Sequence, residues 1–290
     1  MSGFSSDWLT LREPADRAAR SHALVERLCA RAPGARLTVV DLGAGTGANL
    51  RYLAPRLGGE QRWLLVDDDA ALLTAARGAL AAWAAESNAD FVSNEHDVSI
   101  TAHGFACSVR TLELDLARSL GALTLPPACL VTASALLDLV SADWLESLAE
   151  SCAQARASVL FALIYDGRIE PAPAQPDDRL ALECFNRHQR GDKGFGPALG
   201  PRAADAALDV FAARGYALAA DASDWRLDAR SADLQRALVD GWHAAAAEIA
   251  PEHAARLGRW RARRRALVDR GAKLVVGHRD LRGLPPLGSP

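Results

Sequence analysis

Three acidic residues stand near the ends of apolar, strand-like segments, and a glycine-rich loop directly follows the first of them. Asp41 lies near the end of the run 37–42, and Asp67 and Asp115 close two later runs. Glycines let a ligand approach the main chain, and unpaired N–H groups at a helix start attract polar ligands. A carboxylate at Asp41 can pair with an amino group, and one at Asp67 can accept both hydroxyls of a ribose. We therefore expect the loop to bind a nucleoside that carries an amino-acid tail.

Further residues of the same segments are predicted to contact this ligand. An arginine in the first helix, Arg20 or Arg12, can pair with a ligand carboxylate, and Asp115 can accept from an adenine amino group. The predicted ligand-binding residues are Arg20, Asp41, Gly43, Ala44, Gly45, Gly47, Asn49, Asp67, Asp68, Asp115, Leu116 and Ser134.

The same loop also satisfies a dinucleotide-binding pattern. Gly43, Gly45 and Ala48 match the form G-x-G-x-x-A, and an acid about 20 residues further on suits an adenosine ribose. A carboxylate at Asp41 would crowd a pyrophosphate, however, and Tyr165 is not followed by a lysine four residues later. An NAD(P)-dependent oxidoreductase is therefore the alternative enzyme.

Four segments resemble the class I S-adenosylmethionine-dependent methyltransferases: VVDLGAGTG at 39–47, LVD at 65–67, LDL at 114–116 and VTASALLD at 131–138. The resemblance covers roughly residues 36–165, and beyond them it rests on element order. It implies S-adenosyl-L-methionine as cofactor and S-adenosyl-L-homocysteine as product, with the methionine part on the Asp41 loop. The fourth segment differs from the Asn/Asp-Pro-Pro-Tyr/Phe motif, which implies an O, C or other N atom of a small-molecule acceptor.

Methyl transfer from a sulfonium requires an aligned nucleophile and, where needed, a base. The predicted catalytic residues are His188 and Asp138, with Asp166 and Glu183 as further candidate bases. His188 alternatively belongs to an exposed helix surface, and no His/Cys/Asp/Glu spacing predicts a metal site. The predicted substrate-binding residues are Tyr165, Asn186, Lys193 and Phe195.

Alternating strand and helix patterns must position these residues. They predict a doubly wound, mostly parallel, seven-stranded α/β sheet, in which ligands lie outside the carboxyl ends of the strands. Helical structure is expected over 4–31, an irregular connection with an extra hairpin over 87–107, and an antiparallel last strand. The predicted strands are 36–42, 62–67, 109–115, 128–134, 157–165, 216–227 and 273–278. The predicted domains are a helical cap at 1–34 and a methyltransferase domain at 35–290, with a lid insertion at 166–202 and a helical insertion at 231–270.

Composition limits the remaining classes. The chain has 290 residues, 50% of them hydrophobic, and a net charge of −3, which gives no general attraction to nucleic acid or anionic membranes. Five scattered cysteines without C-x-x-C indicate reduced thiols, which are typical of cytoplasmic proteins. No apolar run is long enough to predict a membrane span. We expect a cytoplasmic monomer or homodimer. The arginine-rich helix at 256–265 is better explained as a docked, solvated helix than as a nucleic-acid surface. A non-catalytic protein that binds a nucleoside or RNA stays the alternative outside enzymes.

Overall fold

The structure is a computed structural model, and it describes residues 5–29, 36–95 and 97–286. The predicted boundary at 34 between cap and domain lies outside these residues, as does the start of the chain before residue 5. Ten strands in the described part form one sheet, in the order β3-β4-β5-β2-β1-β6-β7-β10-β8, and β9 pairs with β10. The strands are β1 (Leu37–Leu42), β2 (Gly59–Asp67), β3 (Asp90–Ser93), β4 (Val98–Ala102), β5 (Phe105–Glu113), β6 (Leu130–Ser134), β7 (Ser158–Ala172), β8 (Ala217–Ala222), β9 (Trp225–Leu227) and β10 (Lys273–Leu284).

Seven of these strands make the predicted core of the sheet. The strands β5, β2, β1, β6 and β7 pair in parallel, and β10 inserts antiparallel between β7 and β8. The antiparallel hairpin of β3 and β4 extends one edge of the sheet. It lies in the connection 87–107, where the sequence predicted an extra hairpin. The predicted strand 216–227 is interrupted at Ser223 and Asp224, so β8 and β9 are separate strands that both pair with β10.

The described part of the segment predicted to be helical at 4–31 forms two helices, which are separated by a break at Arg20. The backbone of Arg20 is extended, with φ −63° and ψ 143°, and this conformation ends the first helix. The helices are α1 (Ser6–Ala19), α2 (His22–Cys29), α3 (Ala48–Leu57), α4 (Ala70–Glu86), α5 (Leu116–Ser119), α6 (Ala142–Gln154), α7 (Asp178–His188), α8 (Ala203–Ala212), α9 (Ala232–Ile249) and α10 (Ala254–Val268). In the described ranges, none of the helices has both the length and the apolarity that a membrane span requires.

Apolar clusters cover both faces of the sheet. One cluster joins Leu145 and Leu148 of α6 to Phe161 and Phe211, and a second joins α2, α3 and α4 to the opposite face. These side chains have almost no exposed area, so their burial supplies most of the driving force for folding. A third cluster holds α7, α9 and α10 together beyond the end of β7.

Strand β7 is longer than the sequence predicted. It continues from the expected end at 165 to Ala172, because Glu170 and Ala172 pair with Val275 and Lys273 of β10. The first part of the predicted insertion 166–202 therefore belongs to the sheet. The remainder of this insertion contains α7, and the helical insertion predicted at 231–270 contains α9 and α10.

Candidate functional site

The glycine loop joins β1 to α3 at the carboxyl edge of the parallel strands. Gly43, Gly45 and Gly47 have φ angles of 62°, 52° and 75°, which favour glycine because a side chain would be strained there. A Cβ at Gly45 would also lie 2.9 Å from Leu9 Cδ1 of α1. The Ala44 N–H donates to the Val66 carbonyl at 3.0 Å, which fixes the loop against β2.

Asp41 and Arg20 meet in a buried polar cluster beside this loop. Asn49 Nδ2 donates to Asp41 Oδ1 at 2.6 Å and to Thr132 Oγ1 at 3.1 Å. Arg20 Nη1 donates to Asn49 Oδ1, although the two residues are 29 positions apart. Asp41 Oδ2 and the Nε and Nη2 atoms of Arg20 have no hydrogen-bond partner in the described chain. The cluster therefore offers one free carboxylate oxygen and two free guanidinium nitrogens to a ligand.

Burial controls the charge state of this cluster. Asp41 is 1% exposed, and its burial raises the pKa of its carboxyl to about 7, against the hydrogen bond from Asn49 and the charge of Arg20. Burial also lowers the pKa of Arg20, whereas the acidic groups of Asp280 and Asp41 raise it. An incoming cationic group beside Asp41 would favour the ionised carboxylate.

The second predicted acid holds the loop itself. Asp67 Oδ2 accepts from the Gly45 N–H at 2.7 Å, and Asp67 Oδ1 accepts from the Asp69 N–H at 3.1 Å. Burial raises the pKa of Asp67, and the two backbone hydrogen bonds oppose the shift. Asp68 is exposed beside it. Any contact of these two acids with a ribose stays a prediction.

The third predicted acid caps a short helix at the same edge. Asp115 Oδ1 accepts from the N–H groups of Ala117 and Arg118 at 3.0 and 3.2 Å, and its side chain is 42% exposed. The carbonyl of the buried Leu116 accepts from Trp144 Nε1 at 2.7 Å. Contacts within the chain therefore hold Asp115 and Leu116, and the ligand contacts predicted for these two residues stay predictions.

Helix α1 covers the glycine loop and closes a cleft beneath it. Glu13 of α1 forms an ion pair with Arg51, and Arg51 Nη1 donates to the Thr46 carbonyl at 2.6 Å. This space, the loop cleft, has a volume of about 70 Å³. It is lined by Leu9, Arg12, Glu13, Asp16, Arg17, Arg20, Gly43, Ala44, Gly45, Thr46, Ala48, Asn49, Tyr52 and Ser134.

A larger cavity of about 530 Å³ adjoins the loop cleft. Arg12 lines both spaces. Ser134 lines the loop cleft, and the next residue, Ala135, lines the larger cavity. We call the larger space the aromatic cavity. The sequence predicted four of its lining residues, namely Asp138, Tyr165, His188 and Lys193. It did not predict Ser5, Trp8, Leu139, Leu163, Phe185, Gln189, Trp225, Ala237, Leu238, Gly241, Trp242, Ala245, Val276 or His278 in this role.

Asp138 is the buried carboxylate of the aromatic cavity. It is 6% exposed, and its Oδ1 has no hydrogen-bond partner among the described residues. Burial raises the pKa of Asp138 to about 6, whereas its own N–H, the charge of Arg12 and the N–H of Tyr165 oppose the shift. A carboxyl with this pKa is largely ionised at neutral pH and can accept a proton there.

His188 lies at the cavity wall, where both of its ring nitrogens have polar neighbours. Lys193 Nζ lies 3.0 Å from Nδ1, and Glu248 Oε2 lies 3.5 Å from Nε2. Burial lowers the pKa of Lys193, against the charge of Glu248. This chain of contacts orients His188 but leaves it less available as a base than Asp138.

The other predicted acceptor residues have different surroundings. Tyr165 Oη donates to Asn186 Oδ1 at 2.8 Å, and Asn186 Nδ2 donates to the Gly167 carbonyl at 3.0 Å. Burial raises the pKa of Tyr165 further above its usual value. Phe195 is not among the residues that line the aromatic cavity; it packs edge-on against Trp144, with ring centroids 5.4 Å apart.

The two further candidate bases both form ion pairs. Asp166 pairs with Arg168 at 2.8 Å, and Glu183, which is 58% exposed, pairs with Arg179 at 2.7 Å. Neither acid lines the aromatic cavity. No group of three or more His, Cys, Asp or Glu residues within the described ranges could hold a metal ion.

His278 is a buried titratable residue of the cavity for which the sequence predicted no role. It is 5% exposed, its Nδ1 has no hydrogen-bond partner in the described chain, and burial lowers its pKa to about 3. The charge of Arg12 lowers this pKa further. A single histidine in an apolar strand does not form a recognisable sequence motif. It lies opposite Tyr165 only because β10 pairs with β7 in an antiparallel register.

The arginines of α10 are mostly paired within the chain. Arg256 and Arg263 contact Asp177, whereas Arg261 and Arg265 contact Asp240. The buried guanidinium of Arg264 pairs with the carboxylate of Asp178. Ion pairs within the chain therefore engage five arginines of this helix.

A scan against protein-family models found no match, and a search of curated proteins found none either. Among solved structures, a cyclopropane-fatty-acyl-phospholipid synthase-like protein from Lactobacillus casei ATCC 334 is 14% identical, with 97% of this chain and 94% of that chain covered and a TM-score of 0.50. The cyclopropane synthase MmaA2 from Mycobacterium tuberculosis is 12% identical, with coverages of 97% and 93% and a TM-score of 0.49. A SAM-dependent methyltransferase from Geobacter sulfurreducens in complex with S-adenosyl-L-homocysteine is 17% identical, with coverages of 99% and 100% and a TM-score of 0.43. At 14% identity the likeness to the Lactobacillus casei protein concerns the fold alone, and the strand order agrees with the doubly wound, mostly parallel α/β sheet that the sequence predicts.

Proposed function

We propose that the protein is an S-adenosylmethionine-dependent methyltransferase that acts on an O, C or N atom of a small molecule. One observation carries the proposal. The free Oδ2 of Asp41 and the free Nε and Nη2 of Arg20 lie buried beside the glycine loop. A ligand with both an ammonium and a carboxylate would satisfy all three atoms, and S-adenosylmethionine carries this pair in its methionine part.

The residues of the loop cleft fit this ligand in three further respects. Gly43 and Gly45 line the cleft without a side chain, and Ser134 continues the cleft toward the aromatic cavity. Asp67 stands at the end of the neighbouring strand, where a ribose would lie. S-adenosylmethionine supplies a methyl group that is already activated by the sulfonium.

The chain would mainly orient the acceptor and manage its proton. Arg12 and the step from Ser134 to Ala135 join the two spaces, so an acceptor in the aromatic cavity would lie next to the loop cleft. The free oxygen of Asp138 could accept a proton from the acceptor, because its pKa of about 6 keeps it largely ionised at pH 7. The mostly apolar wall would exclude water and strengthen the polar contacts.

The alternatives find less support in the site. A pyrophosphate would bring its negative charge toward the buried carboxylate of Asp41, which disfavours a dinucleotide in the loop cleft. The arginines of α10 that would attract RNA already contact Asp177, Asp178 and Asp240. A methyltransferase therefore explains more of the unpaired polar atoms than either alternative does.

Calorimetric titration with S-adenosyl-L-homocysteine tests the proposal, with NADH as the competing ligand. We expect S-adenosyl-L-homocysteine to bind and NADH not to bind. Arg20→Met should weaken that binding at least tenfold, whereas Arg226→Met should not, because Arg226 is an exposed arginine outside both spaces. Binding of NADH in place of S-adenosyl-L-homocysteine would refute the proposal.

A further inference from the structure

Three residues that line the aromatic cavity carry buried polar atoms without a hydrogen-bond partner in the described chain. These atoms are Trp8 Nε1, Asp138 Oδ1 and His278 Nδ1. Asp138 and His278 are 6% and 5% exposed, so water does not readily replace the missing partners. Buried polar atoms in proteins are nearly always paired, and each exception requires an explanation. A ligand in the cavity would provide the missing partners.

The surroundings of these atoms are aromatic. The His278 ring lies 4.8 Å from the Trp225 ring and 6.1 Å from the Tyr165 ring, measured between centroids. Phe185 and Trp242 add two further rings to the lining, 6.0 Å apart. A volume of about 530 Å³ falls in the range of roughly 300–1,000 Å³ that is typical of small-molecule sites. Flat aromatic molecules pack well against such walls.

The cations of the cavity are already engaged. Arg12 donates to Asp16 through Nε and Nη2, and its guanidinium lies over the Trp225 ring at 5.0 Å. Lys193 Nζ contacts the ring of His188. An acceptor with a full negative charge would have to compete for these groups and would also face the carboxylate of Asp138.

We infer that the aromatic cavity binds an uncharged aromatic molecule whose hydroxyl group pairs with Trp8, Asp138 and His278; this inference rests on the proposed function. A hydroxyl both donates and accepts, so its oxygen can accept from Trp8 Nε1 while its hydrogen is donated to Asp138 Oδ1. In the tautomer of the neutral ring that carries its hydrogen on Nδ1, His278 can donate a second hydrogen bond to the same oxygen. Asp138 and His278 are thus specificity-determining residues, and the acceptor class is a hydroxylated aromatic compound.

Binding of three probes to protein saturated with S-adenosyl-L-homocysteine tests the inference. The probes are 2-naphthol, naphthalene and 2-naphthoate, which share a ring system and differ in the polar group. We expect 2-naphthol to bind at least tenfold more tightly than the other two. Trp8→Phe and His278→Phe should each reduce the preference for 2-naphthol over naphthalene at least fivefold and leave the affinity for S-adenosyl-L-homocysteine unchanged.

Two comparisons keep the outcomes separate. Trp83→Phe makes the same chemical change in another apolar cluster, where the ring stacks on Phe105, and should alter neither binding event. His278→Asn keeps a polar atom near the position of Nδ1 and should retain part of the preference if His278→Phe fails to fold. Equal binding of naphthalene and 2-naphthol, or tighter binding of 2-naphthoate, would overturn the inference. Failure of S-adenosyl-L-homocysteine to bind would instead count against the proposed function.

Discussion

Replacing Asp41 by asparagine should stabilise the ligand-free protein at alkaline pH while weakening its binding of S-adenosyl-L-homocysteine. The carboxylate is 1% exposed, one of its oxygens is unpaired, and its pKa is raised to about 7. The unfolded chain holds the same group at its ordinary pKa of 3.8. Between these values the folded state binds more protons than the unfolded state, so the stability of the wild-type protein falls as the pH rises.

The size of this effect follows from the pKa shift. Each pKa unit corresponds to 1.36 kcal/mol, so a shift from 3.8 to about 7 gives about 4 kcal/mol over the whole range. The loss is confined to pH values between the two pKa values and is complete above pH 7. An asparagine at this position does not titrate. The free energy of unfolding of Asp41→Asn relative to the wild type should therefore rise by about 3 kcal/mol between pH 5 and pH 8.

Urea denaturation of both proteins at pH 5 and pH 8 measures this difference, with the exposed Asp90→Asn as the matched control. Calorimetry adds a second measurement, because an ammonium beside Asp41 would lower its pKa. Binding of S-adenosyl-L-homocysteine at pH 7 should release roughly half a proton from the wild type, and Asp41→Asn should lack this release. A stability difference that does not change with pH, or no change in proton release, would refute the assigned environment of Asp41.

Three further changes test other parts of the structure. Asp67→Ala should weaken binding of S-adenosyl-L-homocysteine by about 1–3 kcal/mol in calorimetry, and an unchanged affinity would contradict the ribose contact. Gly45→Ala should lower the free energy of unfolding, measured in urea, by about 1–3 kcal/mol, because Gly45 has a φ of +52° and lies close to Leu9. Adding Leu9→Ala should restore only the part of this loss that comes from the clash with Leu9. Arg264→Met should destabilise the protein by about 3–5 kcal/mol in the same assay, since it leaves the charge of Asp178 without its buried partner, and a loss below 1 kcal/mol would contradict this role.

The glycine loop and its first acid could be predicted because their chemistry is local in the sequence. Asp41 and Asn49 are eight positions apart and meet through one strand, one turn and one helix start. Such a unit has a characteristic alternation of apolar, glycine and polar residues. The parallel pairing of the core strands follows from the alternation of strands and helices, and the antiparallel last strand follows from element order; the structure shows both.

The aromatic cavity could not be predicted in the same way, because its polar atoms come from distant parts of the chain. Trp8 and Asp138 are brought to His278 by the return of α1 and by the insertion of β10 into the sheet. The register of β10 shifts between Val276 and His278, and no sequence pattern specifies such an irregularity. The Phe195 ring packs against Trp144, so the substrate contact predicted for Phe195 stays a prediction.

Helix α1 makes the two spaces depend on one another. None of its residues is fully buried. Trp8, Leu11, Ala15 and Ala19 pack at the border of the third apolar cluster, and Trp225 Nε1 donates to Asp16 at 3.0 Å. The loop cleft beneath it measures about 70 Å³, far below the roughly 300 Å³ of the smallest typical ligand sites, so we expect α1 to shift when a ligand enters the cleft. The same shift moves Trp8 and Arg12, which line the aromatic cavity. S-adenosyl-L-homocysteine should therefore change the affinity for 2-naphthol by roughly 5–150-fold, and 2-naphthol should change the affinity for S-adenosyl-L-homocysteine by the same factor. Independent binding of the two ligands in calorimetry would show that α1 does not couple the spaces.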